Sequence, residues 1–391
     1  MEADTSRGGL SRWRTRAYTR GYLHLRFGCL SSQLPRHTAV LFTPSPRGRY
    51  LAVELPTDRC LVIAEAGVNH NGSLDIARQL ATIARESGAD YVKYQTFVPS
   101  LVASSKAPVT AYQSTAGYGD QQGMLSQFVL SDDDHRSLKK HCADIGIGFS
   151  STGHDIESAA YLEGLGQDFV KVGSGDLTNW QLLEAVAGYG QTLFVSTGAS
   201  SWEDVVATVK FLETVGVSIT DDLVLFQCTS AYPAPVGEAN VKVLSRYHDE
   251  FGCRVGYSDH TPSAEAALAA VALGAVVVEK HLTLDTTMEG PDHSSSLDPE
   301  DFHQYVAAIR RVEAALGKPE KHVTQSEGGN QPLIRKGLYA KSTIIAGEEF
   351  SLENVVAKRP LSAAPASLWP EVRGRIATRN YAPDEPIEVE R

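Results

Sequence analysis

Two histidines, His260 and His281, are candidate functional residues, because each follows a short run that contains β-branched residues. An Ala/Leu-rich pattern that begins at Thr261-Pro262 fills most of the interval between those runs. A strand, a helix with Pro in its first turn and a second strand form a βαβ unit, in which the two strands are parallel. We therefore expect both imidazoles at the same carboxyl-end edge of a sheet.

Acidic neighbours add to the case for a metal at this edge. Asp259 precedes His260, and Glu279 lies two residues before His281. Two imidazoles that face an open, oxygen-rich space suit a divalent metal that keeps coordination positions for substrate. The alternative is that two surface histidines lie near strand ends by chance, an explanation that fits a single histidine better than a pair.

The rest of the chain supplies the elements that would position this pair. From Leu61 onward, short apolar strands alternate with helical patterns, which is typical of βα repeats. The predicted strands are 61–66, 91–95, 147–151, 169–173, 192–196, 223–228, 254–257 and 275–278. Eight such units predict an α/β fold, a (β/α)8 TIM barrel, and no G-x-G-x-x-G motif follows the first strand to indicate a dinucleotide-binding sheet.

We predict four segments along the chain. They are an Arg-rich extension that is disordered or spurious (1–56), the barrel (57–317), a polar linker (318–333) and a small, mostly β domain (334–391). A regulatory tail or a targeting signal is the alternative for the extension. Within the barrel, the polar insertion 98–130 is either a lid or a decorative loop.

Composition limits the function classes. The chain has 42% hydrophobic residues and a net charge of -11, and ten of its Arg residues lie within 1–59, so the body is acidic and no nucleic-acid partner is expected. The five cysteines are dispersed without a C-x-x-C spacing, which fits a reducing cytoplasm. No window approaches eighteen apolar residues, so we expect no membrane segment.

In a barrel, the carboxyl ends of all strands meet in one cup. The polar residues at these positions are Glu65, Lys93, Gln95, Ser151, Thr152, Lys171, Ser174, Ser196, Thr197, Thr229, Tyr232, Ser258, His260, Glu279 and His281. Lys93 and Lys171 lie in mostly apolar strands, where an ammonium group is costly unless an anion compensates it. Together with the hydroxyls they predict a phosphate and carboxylate pocket. Strand-end ion pairs and a Schiff-base aldolase are the alternatives, although a metal nearby weakens the second.

Ordered motifs along the chain resemble the sialic acid synthase (N-acetylneuraminate synthase) family. They are IAEAGVNHNG (63–72), VKYQTF (92–97), VKVGSGD (170–176), STG (196–198), CTSAYPAP (228–235), GYSDHT (256–261), VEKHLTLD (278–285) and GPDHSSSLDP (290–299). The segment KSTIIAGEEFSLENVVAKRP (341–360) is similar to the family's C-terminal antifreeze-like (SAF) domain.

This resemblance implies a transferase that condenses phosphoenolpyruvate with an N-acylated hexose, N-acetylmannosamine or a relative, to give a nine-carbon 2-keto sugar acid and phosphate. It implies Mn²⁺, or alternatively Mg²⁺ or Co²⁺, on His260 and His281. It places phosphoenolpyruvate contacts on Lys93, Thr152, Lys171, Ser174, Ser196 and Ser258, and sugar contacts on Glu65, Gln95, Tyr232, Glu279 and Asp292. A homodimer is implied, in which Arg359 of the SAF domain reaches the acyl group in the partner's site.

Two departures from the family pattern concern the acceptor sugar. A common S-T-P-F motif reads Ser151-Thr152-Gly153-His154 here, and Leu361-Ser362-Ala363 replaces a Gly-Asn-Gly turn. N-acetylneuraminate, legionaminate and pseudaminate synthases therefore stay open as alternatives, as does a sugar-binding protein without catalysis.

The predicted mechanism gives two roles to the carboxylates Glu65 and Glu279. One stabilises an oxocarbenium ion, and the other handles the proton on the sugar's aldehyde oxygen. The sequence leaves open which carboxylate does which.

Overall fold

A computed structural model describes residues 53, 55–107 and 120–389. Eight parallel strands form a closed barrel in sequence order, and β1 pairs with β8. The strands are β1 (Leu61–Gly67), β2 (Tyr91–Thr96), β3 (Gly148–Gly153), β4 (Val170–Val172), β5 (Leu193–Ser196), β6 (Leu223–Gln227), β7 (Arg254–Asp259) and β8 (Val277–His281). The predicted TIM-barrel fold is confirmed.

Eight helices of the described residues surround the barrel. They are α1 (Leu74–Glu86), α2 (Asp132–Ile145), α3 (Ile156–Leu165), α4 (Trp180–Ala187), α5 (Trp202–Thr214), α6 (Val243–Phe251), α7 (Glu265–Ala272) and α8 (Pro299–Leu316). Side-chain caps begin several of them: Ser131 and Ser201 each form a capping box with an Asp three residues later. Among the described helices, none is both long enough and apolar enough to cross a bilayer.

Alternation along the strands decides what faces the barrel interior. Near the amino ends the inward side chains are apolar, and the rings of Phe169 and Phe194 stack with centroids 4.2 Å apart. Two residues further along, the inward positions of several strands become polar, as in Ile63 and Glu65 or Phe194 and Ser196. The apolar layer therefore closes the bottom of the barrel, and the polar layer forms a cup above it.

Two details of the predicted βαβ unit are wrong. Helix α7 begins at Glu265, so Pro262 lies in the preceding bend and not in the first helical turn. In the bend between β7 and α7, Asp259 Oδ1 accepts hydrogen bonds from the backbone N–H and the hydroxyl of Thr261, which stabilise a non-helical conformation. Strand β8 also extends to His281, three residues beyond the predicted end, because Glu279 and Lys280 continue the pairing with β7.

The insertion between β2 and α2 contains two short helices, Pro99–Val102 and Gln121–Leu125, while its middle, 108–119, lies outside the described residues. Most of the predicted extension 1–56 also lies outside them.

After α8 come two one-turn helices, Gln325–Gly328 and Gln331–Ile334, and then a small domain. Its antiparallel strands β9 (Gly337–Ala340) and β10 (Val355–Lys358) pair with each other. Apolar side chains from the whole segment pack into one core, including Ile344, Phe350 and Tyr381. The predicted domain boundaries stay predictions.

Candidate active site

Four charged side chains form the floor of the cup. Lys93 Nζ lies 2.6 Å from Glu65 Oε2 and 3.6 Å from Glu279 Oε2, and Lys171 Nζ lies 3.6 Å from Glu279 Oε1. The four side chains are at most 5% exposed, so water screens their charges poorly. The parallel register brings them together, because Glu65 pairs with Lys93 across β1 and β2.

Burial and opposite charge act against each other in this array. Burial would raise the pKa of Glu279, but Lys171 and Lys93 lower that pKa to about 2. Burial, with the charge of Glu279 adding to it, raises the pKa of Glu65 despite the contact with Lys93. Burial lowers the pKa of Lys171, whereas for Lys93 the two carboxylates outweigh burial and raise its pKa. The cup therefore holds two carboxylates in different electrostatic settings.

Hydroxyl groups surround the two ammonium groups. Lys93 donates a hydrogen bond to Thr152 Oγ1 (3.0 Å), and Lys171 donates one to Ser196 Oγ (2.9 Å). The hydroxyl of Ser258 donates to Glu279 Oε1 (2.9 Å), while Ser174 Oγ lies 3.0 Å from Ser230 Oγ at the edge of the cup. Two ammonium groups and several hydroxyls in one concave site can bind an oxyanion with charge-assisted hydrogen bonds.

The two predicted metal ligands stand side by side, with ring centroids 5.5 Å apart. His260 Nδ1 donates a hydrogen bond to the carbonyl of Thr229 (2.7 Å), so Nε2 of the neutral ring carries the lone pair. His281 Nδ1 is buried and has no hydrogen-bond partner among the described residues. Burial lowers the pKa of both imidazoles, which favours the neutral form that binds metals.

These observations fit a divalent metal at the two histidines. Glu279 Oε2 makes no hydrogen bond but lies 3.6 Å from Lys93 Nζ, so this oxygen is already paired with a cation. The described residues contain no group of three or more His, Cys, Asp or Glu arranged to hold a metal by themselves. Any metal here would thus take other ligands from substrate or water, as in catalytic sites with open positions.

Comparison with known families decides the identity of the chain. The NeuB family model matches residues 80–321, and the SAF domain model matches residues 335–389. This chain belongs to the NeuB family. The predicted resemblance to sialic acid synthases with a C-terminal SAF domain is confirmed.

Proteins that are similar to this chain are named for different sugar acids. The chain is 40% identical to N,N'-diacetyllegionaminic acid synthase of Campylobacter jejuni, over 84% of this chain and 99% of the relative. It is 34% identical to human N-acetylneuraminate-9-phosphate synthase, over 80% of this chain and 85% of that protein. The crystal structure of N-acetylneuraminic acid synthetase from Leptospira borgpetersenii has a TM-score of 0.62 at 26% identity, covering 70% of this chain and 90% of that one.

The structure brings thirteen of the fourteen predicted site residues of this NeuB member into one cavity. They are Glu65, Lys93, Gln95, Thr152, Lys171, Ser174, Ser196, Tyr232, Ser258, His260, Glu279, His281 and Asp292. Gln95 Nε2 donates to Glu65 Oε1 (3.2 Å), and the Tyr232 ring lies 4.3 Å from that of His260. Burial raises the pKa of Asp292 to about 7. Their functional roles stay predictions.

Arg359 is the exception. It is exposed in the small domain, does not line the cavity, and its Nε donates to the carbonyl of Ile334 (2.9 Å). Its predicted role in a partner's site stays a prediction.

Asp259 also differs from expectation, because it does not face the histidines. Strand alternation turns Asp259 and Lys280 to the outside of the barrel, where Asp259 Oδ2 lies 3.4 Å from Lys280 Nζ and accepts a hydrogen bond from the hydroxyl of Tyr305 (3.1 Å). Of the two acidic neighbours proposed from the sequence, only Glu279 therefore lies on the same side of the sheet as the two histidines.

Sequence reasoning missed part of the cavity wall. Val68, Met124, Leu125 and Phe128 are apolar residues that line the cavity, and His154 and Asp176, whose Nδ1 and Oδ2 lie 3.3 Å apart, line it as well. His154 had a signal, since it breaks the family's S-T-P-F motif. Val68 directly follows β1, whereas Met124, Leu125 and Phe128 come from the insertion 98–130, and no local pattern predicts that this insertion reaches the cup.

Proposed function

We propose that the protein condenses phosphoenolpyruvate with an N-acylated hexose and water, giving a nine-carbon 2-keto sugar acid and phosphate. The observation that carries the proposal is the buried array of two lysines and two glutamates beside two histidines, of which His281 has a ring nitrogen without a hydrogen bond. A buried cation pair next to several hydroxyls suits the phosphate and carboxylate of phosphoenolpyruvate. The family relatives named as synthases of such sugar acids support the same reaction.

Lys93 and Lys171 would bind and orient phosphoenolpyruvate with Thr152, Ser174, Ser196 and Ser258. The acceptor sugar would lie above it, against Gln95, Tyr232 and Asp292. His260 and His281 would hold a divalent metal, with Mn²⁺ favoured and Mg²⁺ or Co²⁺ as alternatives, and the bound metal would supply Lewis-acid polarisation of the sugar aldehyde. Bringing two reactants together in one closed cup replaces a bimolecular encounter by an oriented one.

In the proposed reaction, one C–C bond forms and one C–O bond breaks. The C3 carbon of phosphoenolpyruvate attacks the aldehyde carbon, the C2–C3 double-bond electrons form the new C–C bond, and the aldehyde oxygen takes a proton. Water then adds to the cationic C2 and loses a proton. The bond between C2 and the phosphate oxygen breaks, phosphate leaves with that oxygen, and the new hydroxyl loses its remaining proton as C2 becomes the ketone.

Glu65 and Glu279 would take the two remaining roles, charge stabilisation and proton transfer. Both carboxylates contact Lys93, so both would lie close to the reacting carbons of a phosphoenolpyruvate bound to this lysine. One would stabilise the positive charge at C2, and the other would transfer the proton at the aldehyde oxygen. Lys93 and Lys171 would offset the charge of the departing phosphate.

The direct test measures phosphate release from phosphoenolpyruvate with a panel of N-acyl hexoses and added Mn²⁺. In water labelled with ¹⁸O, the label should enter the keto acid and be absent from the phosphate, since the C–O bond breaks. Lys171→Ala should abolish release, while Lys210→Ala, at an exposed lysine, serves as the matched control. No release with any acceptor would disprove the reaction, and sugar binding without release would favour a binding protein.

Relatives named for N,N'-diacetyllegionaminic acid at 40% and 37% identity favour a legionaminic-type product, with N-acetylneuraminate and pseudaminate types as alternatives. We also infer a cytoplasmic homodimer in which Arg359 completes the partner's site. A guanidinium offers several donors for an acyl carbonyl, which supports this assignment.

A further inference from the structure

Resting on the proposed function, we propose that Asn71 is a positioning residue for the acceptor sugar and that it acts through Asp292. Asn71 lies in the loop after β1, and Asp292 lies in the loop after β8. Asp292 lines the cavity, whereas Asn71 does not. The motif IAEAGVNHNG ends in the first of these loops, and the reaction above uses only its glutamate, Glu65.

The side chain of Asn71 joins the two loops. Its Nδ2 donates a hydrogen bond to the carbonyl of Glu289 (2.9 Å), three residues before Asp292. A carbonyl can only accept, so Oδ1 of the same amide is the acceptor on the other side, where it lies 3.2 Å from His293 Nε2. Asn71 therefore holds the loop after β8 on both sides of Asp292.

His293 limits the movement of the residue before it. Its ring is fully buried, and its Nδ1 lies 2.6 Å from the hydroxyl of Thr283. His293 also begins a single helical turn, in which the carbonyl of Asp292 accepts from the backbone N–H of Ser295 (3.1 Å). Because the ring is held at both nitrogens, the adjacent backbone has little freedom. The carboxyl group of Asp292 thus stays beside the cavity, with Oδ2 4.0 Å from His281 Nδ1.

The contact between the two loops depends on backbone conformations that few residues adopt. Asn71 has a φ of +50°, in the left-handed region that asparagine enters more readily than most residues. Gly290 has a φ of +154°, and an added Cβ there would lie 2.6 Å from His293 Cδ2 and 3.1 Å from Asn71 Oδ1. Such conformations persist where the surrounding contacts enforce them. The backbone of both loops therefore serves the contact between these side chains.

Asn69 supports the same loop from the interior. Its buried Nδ2 donates to the carbonyl of Leu282 and to Ser296 Oγ, both at 2.9 Å. The hydroxyl of Ser296 in turn donates to the carbonyl of Asp292 (2.7 Å). Leu282 directly follows β8, so a change at Asn69 would disturb the metal site as well. The Asn71 side chain bonds to a later part of the loop, which makes it the better residue to test.

The test measures steady-state phosphate release from phosphoenolpyruvate with the N-acyl hexose of the panel above that the wild type uses best. Asn71→Gly keeps the left-handed backbone and removes both side-chain hydrogen bonds. It should reduce kcat/KM for the hexose by about 10- to 100-fold, because a small displacement of a group that orients substrate has an effect of this size. The KM for phosphoenolpyruvate should stay within about twofold of the wild-type value, because Lys93 and Lys171 lie on other strands.

Two further variants check this selective loss. Gly290→Ala perturbs the contact from the opposite loop, since its methyl would meet the His293 ring, and it should also lower kcat/KM for the hexose alone. Asn240→Gly is the matched control and should behave as wild type. Asn240 likewise has a positive φ (49°), and its exposed side chain bonds within its own loop, to the carbonyl of Glu238.

A double-mutant cycle with Asp292→Ala tests whether Asn71 acts through Asp292. If it does, Asn71→Gly should have almost no further effect on kcat/KM for the hexose once Asp292 has been replaced. In the protein without substrates, hydrogen exchange of the backbone amides 289–296 should become faster in Asn71→Gly and stay at the wild-type rate in Asn240→Gly.

Three results would overturn this inference while the proposed reaction stands. They are an equal loss of kcat/KM with and without Asp292, a parallel rise in the KM for phosphoenolpyruvate, and unchanged hydrogen exchange in Asn71→Gly. No phosphate release by the wild type with any hexose would instead overturn the reaction, and the role of Asn71 toward the acceptor with it.

Discussion

Two buried ionic clusters lie back to back on β7 and β8, one inside the barrel and one outside. In the outer cluster, every charged group has partners within the chain. Asp259 accepts two hydrogen bonds from Thr261 and one from Tyr305, and lies 3.4 Å from Lys280. Lys280 also donates a hydrogen bond to the carbonyl of Thr261. In the inner cluster, His281 Nδ1 is buried without a hydrogen bond, and Glu279 Oε2 has only the ammonium group of Lys93 at 3.6 Å. Both contain a lysine and a carboxylate, so composition does not distinguish them.

The difference indicates their separate tasks. A buried polar group without a partner costs about 1–3 kcal/mol, so such groups persist where a ligand completes them. The outer cluster has its partners within the chain and holds α8 against the strands through Tyr305. We therefore expect the inner cluster to determine activity and the outer cluster to determine stability.

The largest effect should come from the inner cluster. His281→Ala removes an imidazole whose Nδ1 makes no hydrogen bond and lies 4.0 Å from Asp292 Oδ2, so the fold loses no hydrogen bond at that atom. Turnover should fall by at least about 10²–10³-fold, because the proposed metal loses one of two protein ligands. The measurement is phosphate release during a Mn²⁺ titration, with the melting temperature recorded in parallel. Wild-type turnover at any metal concentration would exclude His281 as a ligand.

The outer cluster should show the reverse behaviour. Lys280→Met keeps most of the side-chain volume but leaves Asp259 as a buried charge without its cation, which should cost about 3–5 kcal/mol of the free energy of unfolding. Chemical denaturation measures this loss. The double variant Lys280→Met with Asp259→Leu should lose less than the sum of the two single variants, since neither charge is then left alone. A fully additive result would show that the two residues do not act as a pair.

His70 tests a third case, a buried imidazole whose Nε2 makes no hydrogen bond and which does not line the cavity. Its Nδ1 accepts from the backbone N–H of Gly72 (3.0 Å), and burial, with His135 and His293 adding to it, lowers its pKa to about 4. The unfolded chain then binds a proton that the folded chain does not. The wild type should lose stability as the pH falls from about 6.5 to 4, by about 3 kcal/mol more than His70→Gln.

Urea titrations of the two proteins across this pH range measure the difference, with His303→Gln as a control for an exposed ring. Parallel stability curves for the wild type and His70→Gln would show that the ring titrates normally in the folded protein.

The smallest effect should come from Arg359 of the second chain in a dimer. If Arg359 completes the neighbouring site, a mixture of Lys171→Ala and Arg359→Ala should recover activity, because one site of each heterodimer keeps both residues. Random exchange would give about a quarter of wild-type activity, since half of the dimers are mixed and each has one intact site. Subunit exchange should be followed with labelled chains. Complete exchange without recovered activity would place Arg359 outside the site.

Much of the cavity could be predicted from the sequence because a parallel barrel places the same end of every strand at one rim. Lys93, Lys171, His260 and His281 each occur at or near a predicted strand end, so the prediction needed the βα order and little else. Helix and strand ends were less certain. The start of α7 depends on contacts of Thr261 with Asp259, which are formed only in the folded chain.

The sequence by itself determined the barrel, the family and the set of polar residues at the rim, because strand and helix periods and ordered motifs are local properties. Tertiary structure decided which of two neighbouring acids faces the histidines, since side chains alternate across a strand and the outcome depends on the register of β7 against β8. It also decided that Met124 and Phe128 of the insertion line the same cavity as His154, because contacts between distant segments depend on the packed chain and on no local pattern.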